Sequence, residues 1–185
     1  MEPALERRSD APNHPPDDSP NDPAADSPAD PESVARAICL RLLTGRAHSR
    51  SELAAALDRR LVPPAAAEAV LDRLMEVGLI NDSAFAAAWV SSRHAGRGLA
   101  GRALTAELRA RGVAPEVVAA AVGGLDSSTE EETARRLVRR RLAGLQRVGP
   151  EVRARRLVGL LARKGYSPGL AGQIVHSVLA EDGAA

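Results

Sequence analysis

The stretch LRARGVAP, residues 108–115, occurs three times in degenerate form, the other copies being LDRRLVPP at 57–64 and LARKGYSP at 161–168. Aligning the final prolines places a leucine seven residues upstream in every copy and further apolar residues six, seven and ten positions downstream. The copies lie 51 and 53 residues apart, and one more segment of helical periodicity precedes each. The pattern predicts three tandem three-helix modules of roughly 50 residues, an organisation typical of an elongated repeat stack.

Helix-boundary signals divide the chain in the same way. From Ser33 onward the apolar residues recur at helical spacing, with no alternating strand pattern. The segments 49–52 and 129–132 fit the capping box, in which Ser49 and Thr129 begin a helix, and Asp82 is expected to cap the helix that follows it. We therefore predict an all-α fold of helix-turn-helix-like repeats at 33–80, 81–126 and 127–182. Residues 1–32 are predicted to be a disordered, acidic, proline-rich tail.

Composition narrows the class of protein. Only 2% of the residues are aromatic, which favours closely packed helices over sandwiches or barrels. The single cysteine, Cys39, excludes an internal disulfide framework and is interpreted as a buried core residue. No apolar run approaches the roughly 18–20 residues that span a bilayer, and the chain opens without a basic and apolar leader. We expect a cytoplasmic protein with no membrane association.

The net charge of +1 conceals two segments of opposite sign. Residues 1–32 hold nine acids and two arginines, whereas residues 33–185 hold 23 bases and 15 acids. The tail is interpreted as a solvated leader, with a regulatory arm that competes for the basic body as the alternative. Two arginine clusters in the body are predicted to bind a phosphate backbone or an acidic protein groove, the alternative being a solvated helix face. They are Arg93, Arg97, Arg102, Arg109 and Arg111, and Arg135, Arg136, Arg139, Arg140 and Arg141.

Motifs that would carry chemistry are absent from the sequence. Residues 96–101 match G-x-G-x-x-G, but a helical segment precedes them where a nucleotide-binding fold needs a strand, so they are interpreted as an interhelical turn. The four histidines belong to no metal-binding motif, and those in the body are expected on exposed faces or near helix ends. We predict no catalytic residue, no metal and no cofactor, and therefore a binding protein. An enzyme with an unrecognised site remains the alternative.

A longer motif in the second module gives the chain a family resemblance. It consists of Asp82, Phe85, Ala86, Trp89, Val90 and Arg93, followed by Gly98, Arg102, Leu104, Glu107, Leu108, Gly112 and Val113. This motif resembles the RecX family of bacterial recombination regulators. The resemblance extends to 49–53 and 71–80 in the first module and to 157–166 in the third. Tyr166 stands where the family often has phenylalanine.

The resemblance implies a protein that binds the RecA recombinase and its filament on DNA. It implies inhibition of ATP hydrolysis, strand exchange and coprotease activity, and hence a role in DNA repair and the SOS response. Arg93, Arg97 and Arg102 are the motif positions expected to face the partner, whereas the run 135–141 is predicted from charge alone. A monomer with weak direct DNA binding is expected. A helical DNA-binding protein that acts without RecA is the alternative.

Overall fold

The computed structural model describes residues 30–183, which contain nine α-helices, one short 3₁₀ helix and no strand. The predicted tail, up to residue 29, lies outside the described residues. We refer to α1–α3, α4–α6 and α7–α9 as modules one, two and three. The helices are α1 Pro31–Gly45, α2 Arg50–Asp58, α3 Pro64–Glu76, α4 Asp82–Arg97, α5 Gly101–Arg109, α6 Pro115–Gly123, α7 Ser127–Leu142, α8 Pro150–Arg163 and α9 Pro168–Gly183, with the 3₁₀ helix at Ala143–Leu145 between α7 and α8.

Each module packs around its own apolar core, as the repeat predicts. The centre of each core is a set of leucines on the second helix, fully buried against the third helix. They are Leu53 and Leu57 on α2, Leu104 and Leu108 on α5, and Leu157 and Leu161 on α8. Burying one such side chain stabilises a fold by about 1.5–3 kcal/mol. The recurrent leucine in the sequence alignment is therefore the residue that holds the second helix to its module.

The modules are connected in series by the same kind of joint, used twice. Between modules one and two, the Ser49 hydroxyl donates to the Arg111 carbonyl at 2.7 Å, and the Arg50 amide donates to the Asp82 carboxylate at 2.8 Å. Between modules two and three, the Ala100 amide donates to the Lys164 carbonyl at 2.9 Å, and the Gly101 amide donates to the Glu130 carboxylate at 2.6 Å. In both joints the start of one second helix is capped by groups of the following module, which satisfies amides that would otherwise lack a partner.

The joint depends on a glycine that follows the second helix. Gly112 and Gly165 have φ of 68° and 91°, in the left-handed region that glycine tolerates best. A Cβ at Gly165 would lie 2.6 Å from the Ala103 nitrogen, and one at Gly112 would overlap Ser51. Both glycines therefore reverse the chain and let the backbone of one module touch the module before it.

The corresponding residue in module one is Leu61, which has no preceding module to touch. It adopts φ 57° although it is not glycine, and its side chain is 90% exposed. The left-handed conformation costs an L-residue about 1–2 kcal/mol. We expect Leu61→Gly to raise the free energy of unfolding by about 1 kcal/mol, since relief of this strain outweighs the greater freedom of the unfolded glycine. Urea unfolding checks this, and a lower stability of the variant would show that the Leu61 side chain makes a contribution in its exposed position.

Two predicted helix caps are wrong, by one and three residues. α1 also begins at Pro31, two residues before the predicted beginning of the first module, because the Asp30 side chain accepts from the amides of Glu32 and Ser33. α4 is capped by Asn81, which frees the Asp82 carboxylate for the joint with α2. α7 is capped by Asp126, so Thr129 lies within its first turn. In each case an Asp or Asn that lies earlier in the chain accepts hydrogen bonds from the free amides at the start of the helix.

Candidate functional site

Trp89 lies at the centre of a polar cluster on the surface of module two. Its ring is stacked on Phe85 at 5.8 Å, and its indole N–H donates to the Glu107 carboxylate at 2.9 Å. The guanidinium carbons of Arg93 and Arg111 lie 4.1 and 3.8 Å from the ring centroid. Phe85 is buried, whereas Trp89 is only half-buried. The Trp89 ring orders arginines from two helices.

Arg111 extends this cluster across the joint to module one. Its guanidinium forms an ion pair with Glu52 of α2, which also contacts Arg46 and His48. Burial raises the pKa of the Glu52 carboxyl, but hydrogen bonds and positive charge from Arg46 and Arg111 outweigh it and hold the pKa below its usual value. Glu52 was expected to complete a capping box. Ser49 does accept from the Glu52 amide at 3.1 Å, whereas the Glu52 carboxylate makes these ion pairs instead.

The cluster opens into a continuous depression that we call the arginine groove. Two adjoining hollows of about 400 and 340 Å³ share Glu52, Ala110 and Arg111 in their walls. The groove runs from the end of α1 and the outer face of α2 to α4 and α5, and its floor between the charges consists mainly of alanine. Its charged walls carry two acids, Glu52 and Glu107, and six arginines: Arg46, Arg59, Arg60, Arg93, Arg97 and Arg111.

The arginines of the groove differ in how far they are neutralised. Arg93 and Arg97 share Glu107, with nitrogen to oxygen distances of 3.7 and 3.4 Å. Arg59 and Arg60 are exposed, and no carboxylate within residues 30–183 lies within 4 Å of either guanidinium. The end of the groove in module one therefore carries the uncompensated charge.

The predicted arginine run of α7 is divided by the structure into paired and unpaired members. Arg135 forms ion pairs with Glu131 and Glu181, and Arg139 forms one with Glu181. The Arg136 guanidinium donates to the Thr133 hydroxyl at 3.0 Å. Arg140 and Arg141 are exposed, and the described residues offer neither of them a carboxylate within 4 Å. The sequence interval 135–164 contains one acid, but Glu131 and Glu181 approach it from outside that interval and remove part of its charge.

The other predicted residues of module two have distinct positions. Arg102 and Arg109 are exposed at the two ends of α5 and have no ion pair with residues 30–183. Leu108 belongs to the core, and the Gly98 carbonyl accepts from the buried Tyr166 hydroxyl at 3.3 Å. Burial raises the pKa of Tyr166 to about 12. The interval 96–101 contains the turn between α4 and α5, as predicted from its helical context, and the turn itself comprises residues 98–100.

Comparison with known proteins identifies the three modules individually. Family models match residues 35–74 as the first three-helix domain of RecX, 81–122 as the second and 129–175 as the third. The chain belongs to the RecX family. Proteins called Regulatory protein RecX from Thermobifida fusca and Streptomyces coelicolor are 59% and 57% identical to it over 149 residues. Those matches cover 80% of this chain and 80% and 79% of the two relatives.

Two solved structures share the fold of this RecX-family chain. The crystal structure of RecX from Lactobacillus salivarius gives a TM-score of 0.75 at 16% identity and covers 82% of this chain and 98% of that one. A second crystal structure, described as regulatory protein RecX, gives 0.71 at 21% identity, with coverage of 79% and 72%. The predicted all-α architecture of three-helix repeats is confirmed.

Part of the RecX-family chain's charged surface escaped the sequence reasoning. Arg46, Arg59 and Arg60 belong to no dense basic run, so charge density along the sequence did not mark them. A signal was present in the repeat itself, because Arg60 aligns with Arg111 and Lys164 at the end of each second helix. The basic residue thus follows each second helix. Arg111 and Lys164 lie at the joints with the preceding modules, whereas Arg60 lies at a position where no described module precedes.

His94 and Cys39 are both buried. His94 lies in the last turn of α4, near a helix end as expected, with its Nδ1 2.8 Å from the Leu99 carbonyl and its Nε2 3.0 Å from the Thr133 hydroxyl. The Leu99 carbonyl can only accept, so the Nδ1–H of His94 donates to it. Cys39 is buried as predicted, and burial raises the pKa of its thiol.

Among residues 30–183 no group of three potential ligands is placed to hold a metal ion, and none of the helices combines the length and the apolar character that a membrane span requires.

Proposed function

We propose that this RecX-family protein binds the RecA recombinase and its filament on DNA, and inhibits the ATPase, strand-exchange and coprotease activities of RecA. The observation that carries the proposal is the presence of all three RecX domains in order, connected in series by equivalent joints. The relatives are named as regulatory proteins, which fits a role in control rather than catalysis. The protein acts in the cytoplasm, where it modulates recombination and the SOS response, and it acts as a monomer.

Exposed arginines in modules two and three supply the contact with the partner in this proposal. Arg97 and Arg102 flank the turn between α4 and α5, and Arg140 and Arg141 lie near the end of α7. Arg102, Arg140 and Arg141 have no ion pair within residues 30–183, and Arg97 has one exposed pair, with Glu107 at 3.4 Å. Their guanidinium groups are therefore available to the carboxylates and phosphates of a nucleoprotein filament. Arg93 and Arg111, which the sequence also suggested, hold the groove together through Trp89 and support the contact indirectly.

Inhibition of RecA tests this proposal. We expect substoichiometric amounts of the protein to reduce RecA-catalysed ATP hydrolysis on single-stranded DNA, and to reduce strand exchange. The variants Arg97→Gln/Arg102→Gln and Arg140→Gln/Arg141→Gln should each raise the half-inhibitory concentration about tenfold, since a tenfold change corresponds to about 1.4 kcal/mol shared by two charges. Arg36→Gln/Arg41→Gln removes the same charge from exposed positions of α1 and is the matched control. ATP hydrolysis and strand exchange that stay unchanged at equimolar protein contradict the proposal.

Direct binding to DNA without RecA is the second candidate, and the exposed, unpaired arginines of α7 favour it. Binding of this kind falls steeply with salt, with a slope of log K against log salt of about −0.9 for each phosphate neutralised on duplex DNA. Binding to naked duplex DNA that equals binding to the RecA filament at every salt concentration would support this candidate over the first. Arg140→Gln/Arg141→Gln should then reduce the slope by nearly two.

A further inference from the structure

The arginine groove combines a strong positive charge with walls that are already ordered. Six arginines and two glutamates line it, and the two glutamates are engaged with Arg46, Arg93, Arg97 and Arg111. These internal ion pairs fix the shape of the groove and leave Arg59 and Arg60 without a described counter-charge. An anionic occupant would therefore meet guanidinium groups that are held in place before it binds.

The chain itself supplies an anionic segment of matching charge. Residues 9–28 contain five aspartates, Asp10, Asp17, Asp18, Asp22 and Asp26, and no lysine or arginine. The only bases before α1 are Arg7 and Arg8, so the negative charge is concentrated between them and the first helix. This segment lies outside the residues that the structure describes and precedes the first RecX domain, which begins at residue 35.

The length of chain between the segment and the groove allows the two to meet. The 15 residues of α1 rise by about 22 Å from Asp30 to the end of the helix, where Arg46 lines the groove. A chain spans at most about 3.3–3.6 Å per residue. Asp26 is too close to α1 to cover that distance, whereas Asp22, Asp18, Asp17 and Asp10 can do so. A tethered segment also acts at an effective concentration in the millimolar range, so modest attraction suffices.

We propose that the arginine groove between modules one and two binds the chain's own acidic segment, residues 10–22. The aspartates at 10–22 occupy the groove, and Arg59 and Arg60 supply their main counter-charges. The bound segment shields the six arginines of the groove from external anions, so an anionic partner must displace it to reach them. This interaction involves only the protein itself, and it can be measured whether or not the protein acts on RecA.

Trp89 provides a direct readout because it is the only tryptophan and its indole N–H lies in the wall of the groove. The test compares the indole ¹H–¹⁵N resonance of the full chain with that of a full-length variant in which Asp10, Asp17, Asp18, Asp22 and Asp26 are all asparagine. At low ionic strength the two resonances should differ. A synthetic peptide of residues 9–28, added to the variant, should move its resonance toward that of the unmodified chain, and a peptide with the five asparagines should not.

Variants of the groove then test where the peptide binds. Arg59→Gln/Arg60→Gln, introduced into the five-asparagine chain, should weaken the peptide by at least about tenfold, whereas Arg36→Gln/Arg41→Gln should leave its affinity unchanged. Thermal unfolding of each variant verifies that it is folded. Equal affinities in the two double variants overturn the proposal, as do coincident indole resonances for the aspartate and asparagine chains at low salt. If a single-stranded oligothymidylate shifts the resonance equally in both chains, the groove belongs to a phosphodiester backbone and the proposal is wrong.

Discussion

Replacing Gly165 with alanine is expected to lower the free energy of unfolding by about 3 kcal/mol. The left-handed conformation at this position costs an L-residue about 1–2 kcal/mol. A Cβ would also lie 2.6 Å from the Ala103 nitrogen and 3.1 Å from its Cα. Because these are backbone atoms, modules two and three must move apart, which adds a packing cost of about 1–3 kcal/mol. The same displacement would lengthen the hydrogen bond from the Ala100 amide to the Lys164 carbonyl.

Alanine substitutions at two other glycines distinguish the cost of the left-handed conformation from the cost of the close approach between modules. Gly78 has φ 74° and open space around its missing Cβ, so Gly78→Ala should show the conformational cost alone, about 1–2 kcal/mol. Gly172 lies within α9 with nothing near it, so Gly172→Ala should stabilise the protein by up to about 1 kcal/mol. Urea unfolding followed by circular dichroism measures all three. Equal losses for the Gly165 and Gly78 variants would mean that the close approach between modules contributes nothing.

Replacing Arg111 with methionine should destabilise the protein by about 2–3 kcal/mol. The substitution keeps most of the aliphatic volume but removes the ion pair to Glu52 and the cation over the Trp89 ring. A cation over an aromatic ring contributes about 0.5–2 kcal/mol, and loss of a partly buried ion pair adds to it. Arg93→Met is the matched control because Arg93 also stacks on Trp89 but pairs with Glu107 inside module two. We expect it to cost about 1 kcal/mol or less.

The loss of Arg111 should also change the pH dependence of stability. Since the pKa of Glu52 is held below its ordinary value in the folded protein, its contribution is present above that ordinary value and is lost as the pH falls through the folded pKa. The Arg111 variant should therefore lose less stability than the unmodified protein as the solution is acidified below about pH 4.5, in the range where carboxylates titrate. Urea titrations between neutral and acidic pH measure the difference. An unchanged pH profile would show that Glu52 keeps its low pKa through Arg46 alone.

The repeat was readable from sequence because it depends on local rules. A helix buries a leucine at regular spacing, ends where the chain must reverse, and begins again at a proline such as Pro115. These choices involve neighbours in the chain, so aligning the prolines was sufficient to locate them. The turn at 96–101 was interpreted correctly for the same reason, because its context was helical.

The contacts between modules could not be read in this way. Asp82 has every property of a cap for its own helix, and only the packing of modules one and two shows that it caps α2 instead. Glu181 lies 42 residues from Arg139 and removes charge that the local sequence leaves uncompensated. The local charge of a surface is the sum over residues from distant parts of the chain. For this reason the predicted arginine run of α7 carries less uncompensated positive charge than its sequence suggests, and the module-one end of the groove carries more.

The two ends of the described series of modules each differ from the internal joints at one residue. A joint that works twice within a chain could in principle work between chains, and a head-to-tail contact that does not close generates open fibres. At one end the glycine that permits close approach is replaced by Leu61, whose side chain stands out from the surface. At the other end, α8 begins at Pro150, whose nitrogen carries no hydrogen to donate as Arg50 and Gly101 do. Both residues disfavour a further joint of the same kind at either end of the described modules, and we expect chains not to join head to tail through it.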